Sequence, residues 1–279
     1  MARLISAQKL KQYAVFSASV YVLFAVCLFF MQRQMIYPGQ FDSRPAGLPI
    51  EFGLSGVEVV SLTSEDGTPL LSWYLPPADQ EQGKVLVLAM GNNDRFAYHT
   101  KLIQSLQTQG IGILLVNYRG YQGLQGDPSE QALYQDARAN INWLISKQQI
   151  NPSRIVMVGY SLGSGVASQM ADEFTFAGLA LFAPFTSMVE MGQKIFPAYP
   201  VSLIARDRYE TNLRITRLNE PLLVVMGKQD NIVPFAMGQA VYDLAPQPKS
   251  SLWLDEADHL NLFDKGGRDR LIAFVKELN

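Results

Sequence analysis

Five short runs, VLVLA, ILLV, IVMV, LALF and LLVVM, are apolar at every position. A strand with one face in water alternates apolar and polar residues. Unbroken apolar runs of this length belong to strands covered on both faces, as central parallel strands are. Strands are expected at 57–62, 70–75, 84–89, 111–117, 154–159, 178–183, 221–227 and 250–255. Helices are expected between them at 96–109, 129–148, 162–174, 235–244 and 268–278. Asp127-Pro128-Ser129-Glu130 supplies turn and helix-start chemistry for the second of these helices. The alternation implies an α/β fold with a mostly parallel sheet of about eight strands and helices on both faces. Glu65-Asp66-Gly67 reads as the turn of an antiparallel pair at one edge.

The chain has 279 residues, 48% hydrophobic and 17% charged, which suits one large packed domain rather than disorder. Its net charge is −2 and it has no long Lys/Arg cluster, so no nucleic-acid partner is expected. Cys27 is the single cysteine, which excludes an intramolecular disulfide and a cysteine-based zinc site. Only His99 and His259 are available as imidazoles, and no H-E-x-x-H spacing occurs. No cofactor and no metal are expected, and nothing in the sequence fixes an oligomeric state.

Residues 13–31, YAVFSASVYVLFAVCLFFM, carry no charge. Crossing a bilayer as a helix takes about 20 apolar residues. Arg3, Lys9 and Lys11 precede the run and Arg33 follows it. The positive-inside rule then places the N-terminus in the cytoplasm and the remainder on the extracytoplasmic side. A cleaved signal peptide competes with this reading, but Leu28, Phe29, Phe30 and Met31 make a poor cleavage site. Lipid modification of Cys27 is opposed by bulky Val26, and a buried core helix is the remaining alternative. An uncleaved single-pass anchor is the expectation. From residue 32 to 56, Pro38, Pro45, Pro49 and several glycines suggest a linker lying on the domain surface.

Gly159-Tyr160-Ser161-Leu162-Gly163 follows the run IVMV and precedes a helical stretch. G-x-S-x-G in a strand–turn–helix context is a nucleophile elbow: a sharp turn lifts the serine above the strand end, and its crowded neighbours must be small. A glycine-rich turn with a capping serine is the plain alternative. A serine nucleophile needs a base. His259 sits just past the last strand in EADHLNLF, the position that the chain order Ser, acid, His requires. His99 precedes the serine and is assigned a structural or surface role. Asp230 follows the strand PLLVVM and is the favoured acid, fixing the imidazole tautomer. Asp255, Glu256 and Asp258 are rivals, although Asp258 adjoins His259 and neighbouring side chains on extended backbone diverge.

The strand 84–89 runs into Met90-Gly91-Asn92-Asn93-Asp94. In an α/β-hydrolase this loop and the residue after the nucleophile each donate a backbone N–H to the oxyanion, which by position are Asn92 and Leu162. The chain resembles the membrane-anchored, single-pass branch of the α/β-hydrolase superfamily. It does so at Met35-Ile36-Tyr37-Pro38, Asn117-Tyr118-Arg119-Gly120-Tyr121, Gly126-Asp127-Pro128-Ser129-Glu130, the elbow, GKQDNIVP and ADH. The resemblance covers nearly the whole chain and departs at Met90, where that branch usually has His. The chain is expected to divide into residues 1–34 (cytoplasmic stub and transmembrane anchor), 35–56 (linker) and 57–279 (hydrolase domain). The resemblance implies a small helical insertion at 185–220 over the site.

Phe185, Met188, Met191, Ile195, Phe196 and Tyr199 give that insertion a Met- and aromatic-rich surface suited to lining an acyl pocket, and equally to plain packing on the sheet. The leading expectation is a serine hydrolase for a carboxylic ester or thioester, with a small-molecule or lipid-like acyl substrate. A serine peptidase and a catalytically retired, membrane-tethered scaffold are the alternatives. The intact Ser, Asp and His oppose the scaffold, and Met90 alone favours it.

Overall fold

The computed structural model describes residues 7–278. It opens with helix α1 (Ala7–Ile36); Arg3, invoked above for orientation, lies outside the described residues. Strands β1 (Glu58–Thr63), β2 (Pro69–Leu75) and β3 (Val85–Ala89) follow, then α2 (Thr100–Thr108), β4 (Gly112–Val116), α3 (Glu130–Ser146) and β5 (Ile155–Tyr160). Next come α4 (Leu162–Glu173), β6 (Gly178–Phe182) and three short helices, α5 (Met188–Ile195), α6 (Val201–Ile204) and α7 (Thr211–Ile215). The chain ends with β7 (Leu222–Gly227), α8 (Phe235–Leu244), β8 (Lys249–Leu254) and α9 (Arg268–Glu277).

The eight strands make one sheet in the order β1-β2-β4-β3-β5-β6-β7-β8. β1 and β2 pair antiparallel, as do β2 and β4, and all remaining pairs are parallel. This is the expected mostly parallel sheet with its antiparallel edge. Every residue of β3 through β7 is buried, whereas edge strand β1 alternates. The strand order reverses at β3, with β4 on one side and β5 on the other. In open α/β sheets the crevice at the carboxyl ends of strands beside such a reversal is where ligands bind. The loop after β3 and the turn after β5 both open there.

The stretch after α1 is irregular backbone, as its prolines and glycines suggest, and much of it is exposed, Phe41, Leu48 and Ile50 included. Tyr37 is fully buried, with its hydroxyl 2.9 Å from that of Tyr209, and Leu54 is buried too. The Gly39 N–H donates to the Asn92 carbonyl at 3.0 Å. The stretch thus runs over the domain surface for most of its length, with Tyr37 and Leu54 as buried anchors, and its Gly39 holds the loop after β3.

Helix α1 is long and apolar enough to cross a membrane, the property that anchors and signal sequences share. Near its end, Arg33 makes a bidentate pair with buried Asp207, at 2.9 and 3.1 Å. Asp207 also accepts the Glu130 N–H at the start of α3. The Glu130 carboxylate in turn accepts the N–H groups of Arg208 and Tyr209, at 2.6 and 3.0 Å. Here lies the structural use of the Ser129-Glu130 motif: Ser129 caps α3 through the Ala132 N–H, and Glu130 fastens the root of the helical insertion.

Candidate active site

Ser161 joins β5 to α4 with φ of 53° and ψ of −118°. A non-glycine residue there is strained, and it is held because the surroundings leave no alternative. A Cβ added at Gly163 would sit 2.0 Å from the Ala89 carbonyl oxygen, and one at Gly159 would sit 2.5 Å from that of Gly163. The elbow therefore needs both glycines to bring α4 down against the end of β3. Leu162 is the first residue of α4, so its N–H has no acceptor one turn back in its own helix.

His259 and Asp230 arrive from the loops after β8 and β7. His259 Nε2 lies 2.9 Å from Ser161 Oγ, and its Nδ1 lies 2.7 Å from Asp230 Oδ2. A carboxylate only accepts, so Nδ1 carries the proton and Nε2 faces the serine hydroxyl as an acceptor. Asp230 Oδ1 takes the N–H groups of Ile232 and Val233, at 2.9 and 2.8 Å, which fixes the carboxylate. All three side chains are buried. The rival acids are engaged elsewhere: Asp255 pairs with Lys228, Glu256 with Lys265, and Asp258 accepts the N–H groups of Leu260 and Asn261.

Met90 is fully buried, and the loop after it is pinned at three points. The Tyr118 hydroxyl donates to the Met90 carbonyl at 3.2 Å, and the Gly91 N–H donates to Asp94 Oδ2 at 3.2 Å. Gly39 secures Asn92 as described above. Asp94 itself is held by His99, whose Nε2 is 2.8 Å away. Burial by itself would raise the Asp94 carboxyl pKa. The His99 ring and the N–H groups of Gly91 and Arg95 outweigh it and keep the carboxyl below its ordinary value. His99 is thus buried and structural, with none of the surface character its position left open.

Tyr160, the variable residue of the elbow, also has a role that the motif conceals. Its hydroxyl donates to the His259 carbonyl, and its ring stacks on Phe263. Burial, with the nearby acids Asp94, Asp230 and Asp258, pushes its phenol well above the ordinary value, so it stays a donor. No local pattern announced Tyr160, because its partners His259 and Phe263 lie on another loop, or Asp94, whose partners Gly91 and His99 form no recognised motif with it.

Ser161, Leu162 and Asn92 form the base of an apolar cavity of about 450 Å³. Its walls include Met188, Met191 and Phe196 of the insertion, together with Leu28, Met35 and Ile36 of α1. No cluster of His, Cys, Asp and Glu suited to a metal occurs among the described residues.

The profile of the Prolyl oligopeptidase family matches residues 96–249, more than half of the chain. An uncharacterized protein of Mycobacterium tuberculosis is 35% identical over 221 residues, covering 78% of this chain and 76% of its own. The lysophosphatidylserine lipase ABHD12 of Danio rerio is 27% identical over 201 residues, covering 64% of this chain and 51% of its own. Among solved structures, an alpha-beta hydrolase from Vibrio vulnificus superposes with a TM-score of 0.70 at 23% identity. That match covers 87% of this chain and 92% of the other, and it speaks to the fold. With the eight-stranded sheet and the G-x-S-x-G turn, these likenesses make the chain a hydrolase that belongs to the prolyl oligopeptidase family within the α/β-hydrolase fold.

Proposed function

We propose that the protein is a serine esterase or lipase-like enzyme that cleaves a carboxylic ester or thioester through an acyl-enzyme on Ser161. The observation that carries this reading is the hydrogen-bonded line from Ser161 through His259 to Asp230 at the base of an apolar cavity. In the first half-reaction Ser161 Oγ attacks the acyl carbon and its proton passes to His259 Nε2. The carbonyl oxygen becomes an oxyanion, met by the N–H groups of Asn92 and Leu162. The tetrahedral species collapses, the bond to the leaving alkoxide or thiolate breaks, and His259 returns the proton to that group. Water then repeats the sequence on the acyl-enzyme, freeing the acid and the serine. Asp230 holds the imidazole in its tautomer and balances the imidazolium charge throughout.

An acyl chain fits the Met-, Phe- and Leu-lined cavity better than a peptide does. Asp207, the carboxylate on its wall, is committed to Arg33 and the Glu130 N–H rather than free for a substrate amine. The lipase among the relatives supports a lipid-like acyl substrate. In this reading residues 1–34 form a cytoplasmic stub and uncleaved anchor, and the hydrolase domain lies on the extracytoplasmic side of the membrane. The test is labelling by a fluorophosphonate, followed by a panel of acyl esters of graded chain length beside a peptide panel. Labelling that persists in Ser161→Ala, or turnover confined to peptides, overturns the proposal.

A further inference from the structure

Residues 195–205, IFPAYPVSLIA, carry no charge and lie between Lys194 and Arg206. They form the tip of the helical insertion, around the turn between α5 and α6, and they pack on α1. The Tyr21 ring stacks on Tyr199 with centroids 4.6 Å apart, and Phe24 packs against both Phe196 and Tyr199. Tyr21 precedes Met31, the last residue of the charge-free run, by ten residues, which at helical rise is about 15 Å along the axis. If α1 crosses a bilayer with a hydrocarbon core about 30 Å thick, the turn beside Tyr21 lies within that core.

Irregular backbone survives in hydrocarbon only if its polar groups find partners inside the protein, and most of this turn's backbone groups do, the exposed Ala198 N–H being an exception. The Tyr21 hydroxyl donates to the Ala198 carbonyl at 2.8 Å, and Gln193 Nε2 donates to that of Pro197 at 3.2 Å. Pro197 and Pro200 have no N–H to satisfy. The N–H groups of Phe196, Tyr199, Val201, Leu203 and Ala205 are all bonded within the segment or to Gly192. Gln32 of α1 donates to the Ile204 carbonyl at 3.1 Å and accepts the Arg206 N–H at 2.7 Å. Leu203 is 82% exposed and Ile195 61% exposed, on a segment where water would be an adverse neighbour.

We infer that residues 195–205 are a second membrane element, immersed in the bilayer beside α1. We further infer that the cavity between the two receives the acyl chain of a membrane-resident lipid sideways from the lipid layer. The immersion rests on α1 spanning the bilayer beside the segment; the substrate route rests on the reading of Ser161 as nucleophile. One stripe of α1, Leu28, Gln32, Met35 and Ile36, lines the cavity, so the anchor is itself a wall of the acyl site. These positions follow the helical spacing that puts side chains on one face.

The experiment uses the full chain, with Cys27→Ser, in phosphatidylcholine–phosphatidylglycerol vesicles. Leu203→Cys carries a fluorophore, and Glu81→Cys, exposed before β3 at the opposite end of the sheet, is the reference. The label at 203 is quenched by doxyl-bearing lipids and shielded from aqueous iodide, and the label at 81 shows the reverse. Iodide quenching at 203 equal to that at 81 overturns the immersion. For the route, Leu203→Glu lowers the ratio of turnover of a long-chain monoacyl ester in vesicles to that of a soluble butyrate ester by at least tenfold. An unchanged ratio overturns it. Failure of the wild type to react with a fluorophosphonate would remove the hydrolase reading while leaving the depth measurement intact.

Discussion

His99 Nε2 lies 2.8 Å from Asp94 Oδ2, and that same oxygen accepts the Gly91 N–H of the loop after β3, the proposed oxyanion loop. A histidine outside the Ser–His–Asp line therefore sets the position of the loop that faces Ser161. Asp94 is a positioning residue. Asp94→Ala is expected to lower kcat roughly 10- to 100-fold, short of the about 10²–10³ lost when an oxyanion donor is deleted outright. KM should move less than threefold, because the loop acts when charge develops rather than when substrate binds. Asp94→Asn, which keeps an acceptor, should recover part of the rate. Steady-state kinetics on a soluble aryl ester decide this, and a change confined to KM would show that the pair does not act through the oxyanion.

The same carboxylate makes stability depend on pH. Its folded pKa is held below the ordinary value. A group depressed in this way contributes stability in full above its unfolded pKa, and loses it as pH falls through the folded one. The Tm difference between wild type and Asp94→Asn should be widest near neutrality and shrink as pH drops below about 4. Thermal unfolding from pH 7 to pH 3 measures it; a constant gap would mean that the ionised form is not what supports the loop.

Ser161→Ala should abolish ester turnover and fluorophosphonate labelling with the fold intact, a loss of about 10⁴- to 10⁶-fold. His259→Ala should cost nearly as much, since base and nucleophile act as a unit. Asp230→Asn should cost less, because an amide still fills the site but donates where Nδ1–H must also donate. Rates for the three variants on one substrate check the order, and a near wild-type rate for Ser161→Ala would overturn the nucleophile assignment.

A reporter fused after Asn279 that works only when exported should be active, and one that works only in the cytoplasm should be silent. This follows from Lys9 and Lys11 before the apolar run, under the positive-inside rule. The opposite pattern would place the hydrolase domain in the cytoplasm.

The sheet was legible because its central strands are apolar throughout, a pattern that only strands buried on both faces require. Ser161, Asp230 and His259 stand out as candidates because each lies in the loop or turn that follows a strand, β5, β7 and β8 in turn. What the sequence hid was side-chain contact that no local pattern encodes. Tyr37 and Gly39 looked like linker residues, since prolines and glycines mark irregular backbone whether it lies in or on the protein. Asp94 and His99 are five residues apart, too far for any turn rule to pair them. The insertion's fit to α1 rests on Tyr21 meeting Tyr199 and Arg33 meeting Asp207, across more than 170 residues of chain in each case.

Met90 stands where the family resemblance leads one to expect His, and its surroundings set what the substitution Met90→His would do. Its side chain is fully buried, and the loop beyond it is already pinned by Tyr118, by Gly39 and by the Asp94–His99 pair. An imidazole at 90 would supply a further support to a loop with three, so Met90→His should raise kcat by less than about tenfold, or about 1.4 kcal/mol. It would also place a polar ring in an apolar site. Without a partner there, burial of such a group costs about 1–3 kcal/mol. The expected variant is therefore less stable and no more than modestly faster. Kinetics on a short-chain aryl ester and thermal unfolding on the same preparation test both halves. A gain of a hundredfold or more would mean that the natural loop holds its donors out of place, and would favour a hydrolase that has given up its chemistry.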